Sequence, residues 1–124
     1  MAKVIGFGGV FVKARDPQAL SNWYAKHLGV KVEDFGGAMF AEDATQAGCT
    51  LWSPFPADTK YFQPSDKEFM LNFRVDDRDA MLTQLRSAGV QVDARVDESE
   101  YGRFGWAMDP QGTRIELWQP PPPK

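Results

Sequence analysis

Glu116 is the side chain of this sequence best placed to do chemistry. It sits in Asp-Pro-Gln-Gly-Thr-Arg-Ile-Glu-Leu-Trp, residues 109–118. Asp109, Pro110 and Gly112 hold the favoured first, second and fourth places of a type I turn. A strand should follow, and side chains alternate along a strand. Ile115 and Leu117 then point one way, and Arg114, Glu116 and Trp118 the other. An anion between a cation and an indole suits a ligand-facing surface. It equally suits the exposed face of a half-buried sheet, the commoner fate of such a strand.

The other reactive groups offer less. His27 is the single histidine, near the end of a helical segment, where a cation beside a helix C-terminus is reading enough. Cys49 is the single cysteine, so no internal disulfide forms, and a buried inert thiol is the simplest account of it. The chain has 124 residues, enough for one domain with a real core. At 43% hydrophobic and 25% charged residues the composition is that of a soluble globular protein. A net charge of −3 with no basic run argues against nucleic acid. No apolar run is long enough to span a membrane. The start, Met-Ala-Lys-Val-Ile-Gly, lacks the pattern of a signal peptide. With the cysteine count, this leads us to expect a cytoplasmic protein.

The elements that would position Glu116 read as a pattern made twice. Residues 4–14 form a strand rich in Val and Phe. Asp16 and Pro17 give an N-cap and a first-turn proline. Leu20, Trp23, Tyr24 and Leu28 fall at helical spacing, Gly29 stops the helix, and Val30 and Val32 open the next strand. The order then returns. Phe69 to Val75 alternate, Asp76 and Asp77 open a helix carrying Met81, Leu82 and Leu85, Gly89 stops it, and Val90 and Val92 begin a strand. Short strand-like segments follow each helix, at 30–35, 37–42 and 47–53, then at 90–96, 101–108 and 113–119. This predicts an α+β fold of two tandem βαβββ modules in a single domain, 1–124. Module one is 4–53, a proline-bearing linker 54–68, module two 69–119, and 120–124 a Pro-rich tail.

Three stretches carry a family resemblance. They are Ala14-Arg15-Asp16-Pro17 through Trp23-Tyr24 to Leu28-Gly29-Val30, Phe73-Arg74-Val75-Asp76-Asp77 through Ala88-Gly89-Val90, and the closing motif at 109–118. Together they resemble the vicinal oxygen chelate superfamily, which includes glyoxalase I, extradiol dioxygenases, fosfomycin-resistance enzymes and bleomycin-resistance proteins. The resemblance implies a cup-shaped sheet of eight strands with helices outside. In catalytic members a divalent metal sits on the cup's inner face, held by His and Glu from the first and last strands of each module. Carried over to this sequence, those positions are Gly9, Met70, one near Leu51 or Trp52, and Glu116. Only Glu116 offers a donor, whereas a zinc or iron site needs about three protein ligands. The expectation is therefore no metal and no cofactor. A residual alternative is a hard cation held by Glu116 with Glu98 or Glu100.

Alternation predicts the lining of the cup. Gly9, Phe11 and Lys13 should face inward, as should Met70, Asn72 and Arg74, and Arg114, Glu116 and Trp118. Phe40 and Trp52 are added from module one, with Tyr101, Arg103 and Trp106 from the aromatic segment 100–106. An aromatic pocket with few charges is the usual form of a small-molecule site. Two functions follow. In one, a homodimer resembling the sequestering bleomycin-resistance proteins binds a small aromatic or anionic molecule without metal. In the other, a glyoxalase I-like isomerase or another enzyme of the superfamily uses Glu116 as general base or as sole retained metal ligand. The competing account is that Trp106 and Trp118 line an interface between copies, that Arg114 and Glu116 pair in solvent, and that Arg103 is a surface residue. The metal expectation is directly measurable. Untagged protein equilibrated with divalent ions should retain no stoichiometric metal, with Glu116→Gln indistinguishable from it, and stoichiometric binding lost in that variant would overturn the assignment.

Overall fold

The computed structural model describes residues 1–41 and 49–122. Seven strands and two helices follow in the order β1 (Val4–Ala14), α1 (Pro17–Leu28), β2 (Ala38–Phe40), β3 (Thr50–Pro56), β4 (Phe69–Val75), α2 (Arg78–Ser87), β5 (Asp97–Ser99), β6 (Gly102–Met108) and β7 (Arg114–Gln119). All the strands lie in one curled mixed sheet, ordered β2-β3-β1-β4-β7-β6-β5. The two modules meet at its centre, where β1 and β4 pair antiparallel. Each first strand then takes a parallel partner from its own module, β3 beside β1 and β7 beside β4.

The caps form as the residue types require. Asp16 Oδ1 accepts from Ala19 N at 3.0 Å, and Gly29 ends α1 in the left-handed region at φ 70°. Asp77, not Asp76, caps α2, accepting from Ala80 N at 3.0 Å. Asp76 instead accepts from Lys3 N at 3.0 Å, and that bond holds its carboxyl below the ordinary value.

Two expected strands are replaced. Over 30–35 the backbone closes a local turn, Glu33 N to Gly37 O and Gly36 N to Glu33 O, so no ladder forms there. Over 90–96 the chain does run along β6, but only the bridge Val92–Ala107 is regular. Asp93 Oδ1 accepts from Arg95 N, an Asx turn that interrupts the pairing until β5 resumes it. The sheet therefore has seven strands among the described residues, not eight. Of the segments read at 37–42 and 47–53, residues 42, 47 and 48 lie outside the described residues, as do Pro123 and Lys124 of the tail.

The sheet is apolar on both faces. On the outer face Val75, Met81, Leu82, Ala107 and Leu117 form a core beneath α2, with Leu85, Val90 and Ile115 against it. On the inner face Phe11, Phe62, Met70 and Trp106 form a second core. Burial of each Val, Leu, Met or Phe side chain among them contributes roughly 1.5–3 kcal/mol. Phe62 comes from the segment between β3 and β4, which folds across the cup. Pro54 and Pro56 belong to β3 itself, and β2 begins at Ala38 opposite Trp52, so they lie where β3 has no partner on that side. No helix among the described residues is long and apolar enough to cross a membrane.

Glycines in β1 set the closeness of its contacts with β3 and β4. A register shift between Phe7 and Gly9 marks a bulge, and Gly9 adopts φ 136°. A Cβ on Gly9 would meet Leu51 O at 1.9 Å, and one on Gly8 would meet Asn72 Oδ1 at 1.7 Å. Gly8 therefore faces the cup where Gly9 was expected to. Asn72 is held by a bond to Glu116 and cannot simply swing aside. Gly8→Ala should lower stability by about 1–3 kcal/mol, read as a fall in urea midpoint at unchanged slope.

Candidate functional site

Three neighbouring strands bring three polar side chains into line at the floor of the cup. Register places Asn72 of β4 beside Glu116 of β7, and Glu116 beside Trp106 of β6. Asn72 Nδ2 donates to Glu116 Oε1 at 2.6 Å, and Trp106 Nε1 donates to Oε2 at 2.9 Å. A third donor comes from the inter-module segment, where the Tyr61 hydroxyl donates to Oε2. Glu116 is 2% exposed. Burial raises its carboxyl above the ordinary range, opposed by hydrogen bonds from Tyr61, Trp106 and Asn72 and by the charge of Arg114. Burial and the Glu116 charge push the Tyr61 hydroxyl upward in turn, so it keeps its proton and acts as a donor.

The walls around this carboxyl are aromatic. Tyr61 stacks on Phe55 at 5.4 Å and 13°, and meets Trp106 edge-on at 5.9 Å. Phe62, fully buried, packs on Phe55 at 5.3 Å with the Lys13 ammonium 5.7 Å from its ring. The guanidinium groups of Arg95 and Arg114 lie 5.1 and 5.2 Å from the Trp106 ring. Arg114 Nη1 also donates to Asp93 Oδ2 at 3.2 Å. Two buried atoms lack a hydrogen-bond partner among the described residues, Asn72 Oδ1 and Arg114 Nε.

Of the residues expected to line the cup, Phe11, Met70, Asn72, Trp106, Arg114, Glu116 and Trp118 share the inner face. Four others do not. Trp52 is on the opposite side of β3, its ring 4.5 Å from Tyr24 of α1. Phe40 pairs with Thr50 on that same side and is 47% exposed at the sheet edge. Tyr101 is 64% exposed, and only its carbonyl takes part, accepting from Trp118 Nε1 at 2.7 Å. Arg103 alternates with Phe104 and so turns to the α2 side, near Asp79 at 3.6 Å and Glu98 at 3.8 Å. Trp118 stacks on Phe104 at 6.1 Å, so the indole that bonds Glu116 is Trp106. His27 is exposed on α1 against Trp23, outside the cup as expected. Cys49 is half-buried just before β3.

Phe55, Tyr61 and Phe62 were missed in the sequence because they lie in or beside a segment read as a linker. Their signal was a Tyr-Phe pair between prolines, more apolar than a solvated loop needs. The cup is thus filled by side chains of the same chain, Tyr61 and Phe62, which counts against a preformed cavity for a ligand. A groove of about 620 Å³ lies on the other face, lined by apolar residues such as Val4, Phe73, Met81 and Leu85.

The residues at the family's metal positions do not fit a divalent ion. Gly8, Gly9 and Met70 bring no donor, and both Glu116 oxygens already accept hydrogen bonds. Glu98 points elsewhere, to Arg78 Nη2 at 2.9 Å, and Glu100 is exposed. Among the described residues no three His, Cys, Asp or Glu side chains cluster as a metal site.

The buried carboxyl has a consequence for stability. Its ordinary value is 4.5 and its folded value is higher. Between the two, the folded state binds more protons than the unfolded state, so stability falls as pH rises through that window. Relative to Glu116→Gln, the wild type should lose stability progressively above pH 4.5, seen in urea midpoints measured across the pH range. Parallel profiles for the two proteins would show that Glu116 titrates normally.

Comparison with known proteins fits this architecture. The sequence profile of the glyoxalase-like domain matches residues 9–118. Methylmalonyl-CoA epimerase from Mycobacterium tuberculosis is similar over 96% of this chain and 90% of its own, at 26% identity and a TM-score of 0.63. A methylmalonyl-CoA epimerase in complex with methylmalonyl-CoA and NH4+ covers 98% and 99%, at 17% identity and a TM-score of 0.69. A glyoxalase/bleomycin resistance protein/dioxygenase superfamily member from Vibrio splendidus 12B01 covers 96% and 99%, at 12% identity and a TM-score of 0.58. No curated protein sequence matches the chain. The doubled strand–helix module, the central β1–β4 pair and the profile match over most of the sequence place this chain in the glyoxalase-like domain family.

Proposed function

We propose that this protein binds a small aromatic molecule in its cup without a metal, using Glu116 as the polar handle. The observation that carries the reading is the Glu116 carboxyl itself, buried among aromatic rings and held by Asn72 and Trp106 from adjacent strands. A carboxyl in that setting costs several kcal/mol to desolvate. A pure packing role would be served as well by an apolar residue of similar volume. Tyr61 and Phe62 occupy the space above it, so binding requires residues 57–64 to withdraw and the ligand to take their place.

A second reading is favoured by the direction of the Glu116 shift. A carboxyl raised by burial approaches the range of a useful general base. It could take a proton from carbon beside a carbonyl, as an isomerase or epimerase must, and the likeness to the Mycobacterium tuberculosis epimerase makes methylmalonyl-CoA the thioester to try first. Asn72, Trp106 and Tyr61 are the neutral donors beside it for the oxygen that gains charge.

One experiment addresses both readings. Aromatic fragments, neutral and anionic, are titrated into metal-free protein while the indole N–H signals of Trp106 and Trp23 are followed by NMR. Binding in the cup should move the Trp106 signal and leave Trp23, exposed on α1, unchanged. Glu116→Gln should weaken binding by about tenfold, the worth of one hydrogen bond to a charged or buried partner. No fragment moving Trp106 would defeat the binding reading. Deuterium uptake at C2 of methylmalonyl-CoA, lost in Glu116→Gln, would establish the second.

A further inference from the structure

We infer that the ligand class of this cup is a neutral phenol substituted para to its hydroxyl, and that Tyr61 occupies the phenol's place when no ligand is present. This rests on the binding reading given above. Tyr61 is itself a para-substituted phenol, and every group that receives it belongs to the sheet. Phe55 of β3 stacks beneath its ring, Trp106 of β6 meets it edge-on, and Glu116 of β7 accepts its hydroxyl proton. Asn72 and Trp106 hold the Glu116 carboxyl in place independently of Tyr61. The receptor is thus made of strands, and the occupant comes from a connecting segment.

The backbone of that segment is bonded mainly to its own turns, and its hold on the sheet comes from the Tyr61 and Phe62 side chains. Its backbone bonds run from Thr59 N to Pro56 O, Gln63 N to Lys60 O and Ser65 N to Phe62 O. Among the described residues no backbone bond ties 57–64 to a strand beyond the end of β3. The firm anchors come later, with Ser65 Oγ donating to Gly112 O at 2.6 Å and Lys13 N to Glu68 O at 2.8 Å. Lifting residues 57–64 between fixed ends therefore breaks no ladder of the sheet, but it withdraws the fully buried Phe62 ring from the inner core, and the ligand's ring must replace that packing.

The chemistry of the floor selects the occupant. Glu116 Oε2 takes an N–H from Trp106 and has room for one further donor, which a phenol supplies and an ether or hydrocarbon does not. A ligand carboxylate would face the Glu116 carboxyl and be repelled once that group ionises, which narrows the expected class from aromatic or anionic to aromatic and neutral. The para position of Tyr61 carries its link to the backbone, so a para substituent on a ligand would run toward the mouth along the same line.

The test uses the full chain with 4-methylphenol, and with toluene, 4-methylanisole and 4-methylbenzoate as comparators, read by the Trp106 indole signal. In the wild type 4-methylphenol should bind at least about tenfold more tightly than any comparator. Tyr61→Ala removes the internal competitor and should tighten 4-methylphenol binding further, since a site blocked part of the time loses apparent affinity in proportion. Tyr61→Phe, which keeps the ring and the packing, should also bind 4-methylphenol more tightly than the wild type and guards against a folding defect in the alanine variant. Equal affinity for 4-methylphenol and toluene, or no gain in either Tyr61 variant, overturns the inference. If other fragments still move Trp106, binding in the cup survives and only the ligand class is wrong. If no compound moves it in any variant, both fail.

Discussion

A carboxyl taken out of water is the constraint around which this molecule is arranged. Charged oxygens in an apolar interior are tolerated only when donors replace the lost water. Glu116 obtains those donors by register. Its strand runs between β4 and β6, and the pairs Asn72–Glu116 and Glu116–Trp106 put one amide and one indole at its sides. A slip of one residue in either ladder would turn the partner side chain to the opposite face. The third donor, Tyr61, is not supplied by register, and it draws the inter-module segment down over the cup. The fold of residues 57–66 and the state of Glu116 are thus coupled.

The rest of the sheet makes that arrangement affordable. Two apolar layers, one beneath α2 and one inside the cup, pack on the two faces of the sheet around β7. Of the parallel pairs, β4 with β7 is largely buried, whereas Val4, Ile5 and Phe7 of β1 are exposed. The glycines of β1 let β4 come close enough for Asn72 to sit opposite bare backbone, and the Asn72 amide then reaches Glu116. Relatives of the same architecture include methylmalonyl-CoA epimerases, so this frame does not fix a reaction. In this chain the inner face of the sheet carries one buried carboxyl, Glu116, among apolar residues and glycines.

Much of this was legible in the residues. The two capping aspartates, the helix-ending glycines and the alternation of β4 and β7 follow from local chemistry, because a cap or a strand face depends on side chains only a few positions apart. The same alternation put Phe11, Met70, Asn72, Arg114, Glu116 and Trp118 on one face. Alternation fails where a ladder is interrupted or where phase is unknown. The bulge at Gly8 and Gly9 shifted the phase of β1, and the phase of β3 sent Trp52 to α1 and Leu51 inward. The turn at 33–37 replaced a strand because its hydrogen bonds close on themselves.

The sequence by itself determined the doubled module, the family resemblance and the strand that carries Glu116, since each is written in short-range spacing. Only the tertiary structure decided what surrounds that carboxyl. Tyr61 is 55 positions away from Glu116, Asn72 is 44 and Trp106 is 10. Those distances along the chain are closed by sheet register and by a connecting segment folding back, and no local pattern encodes either.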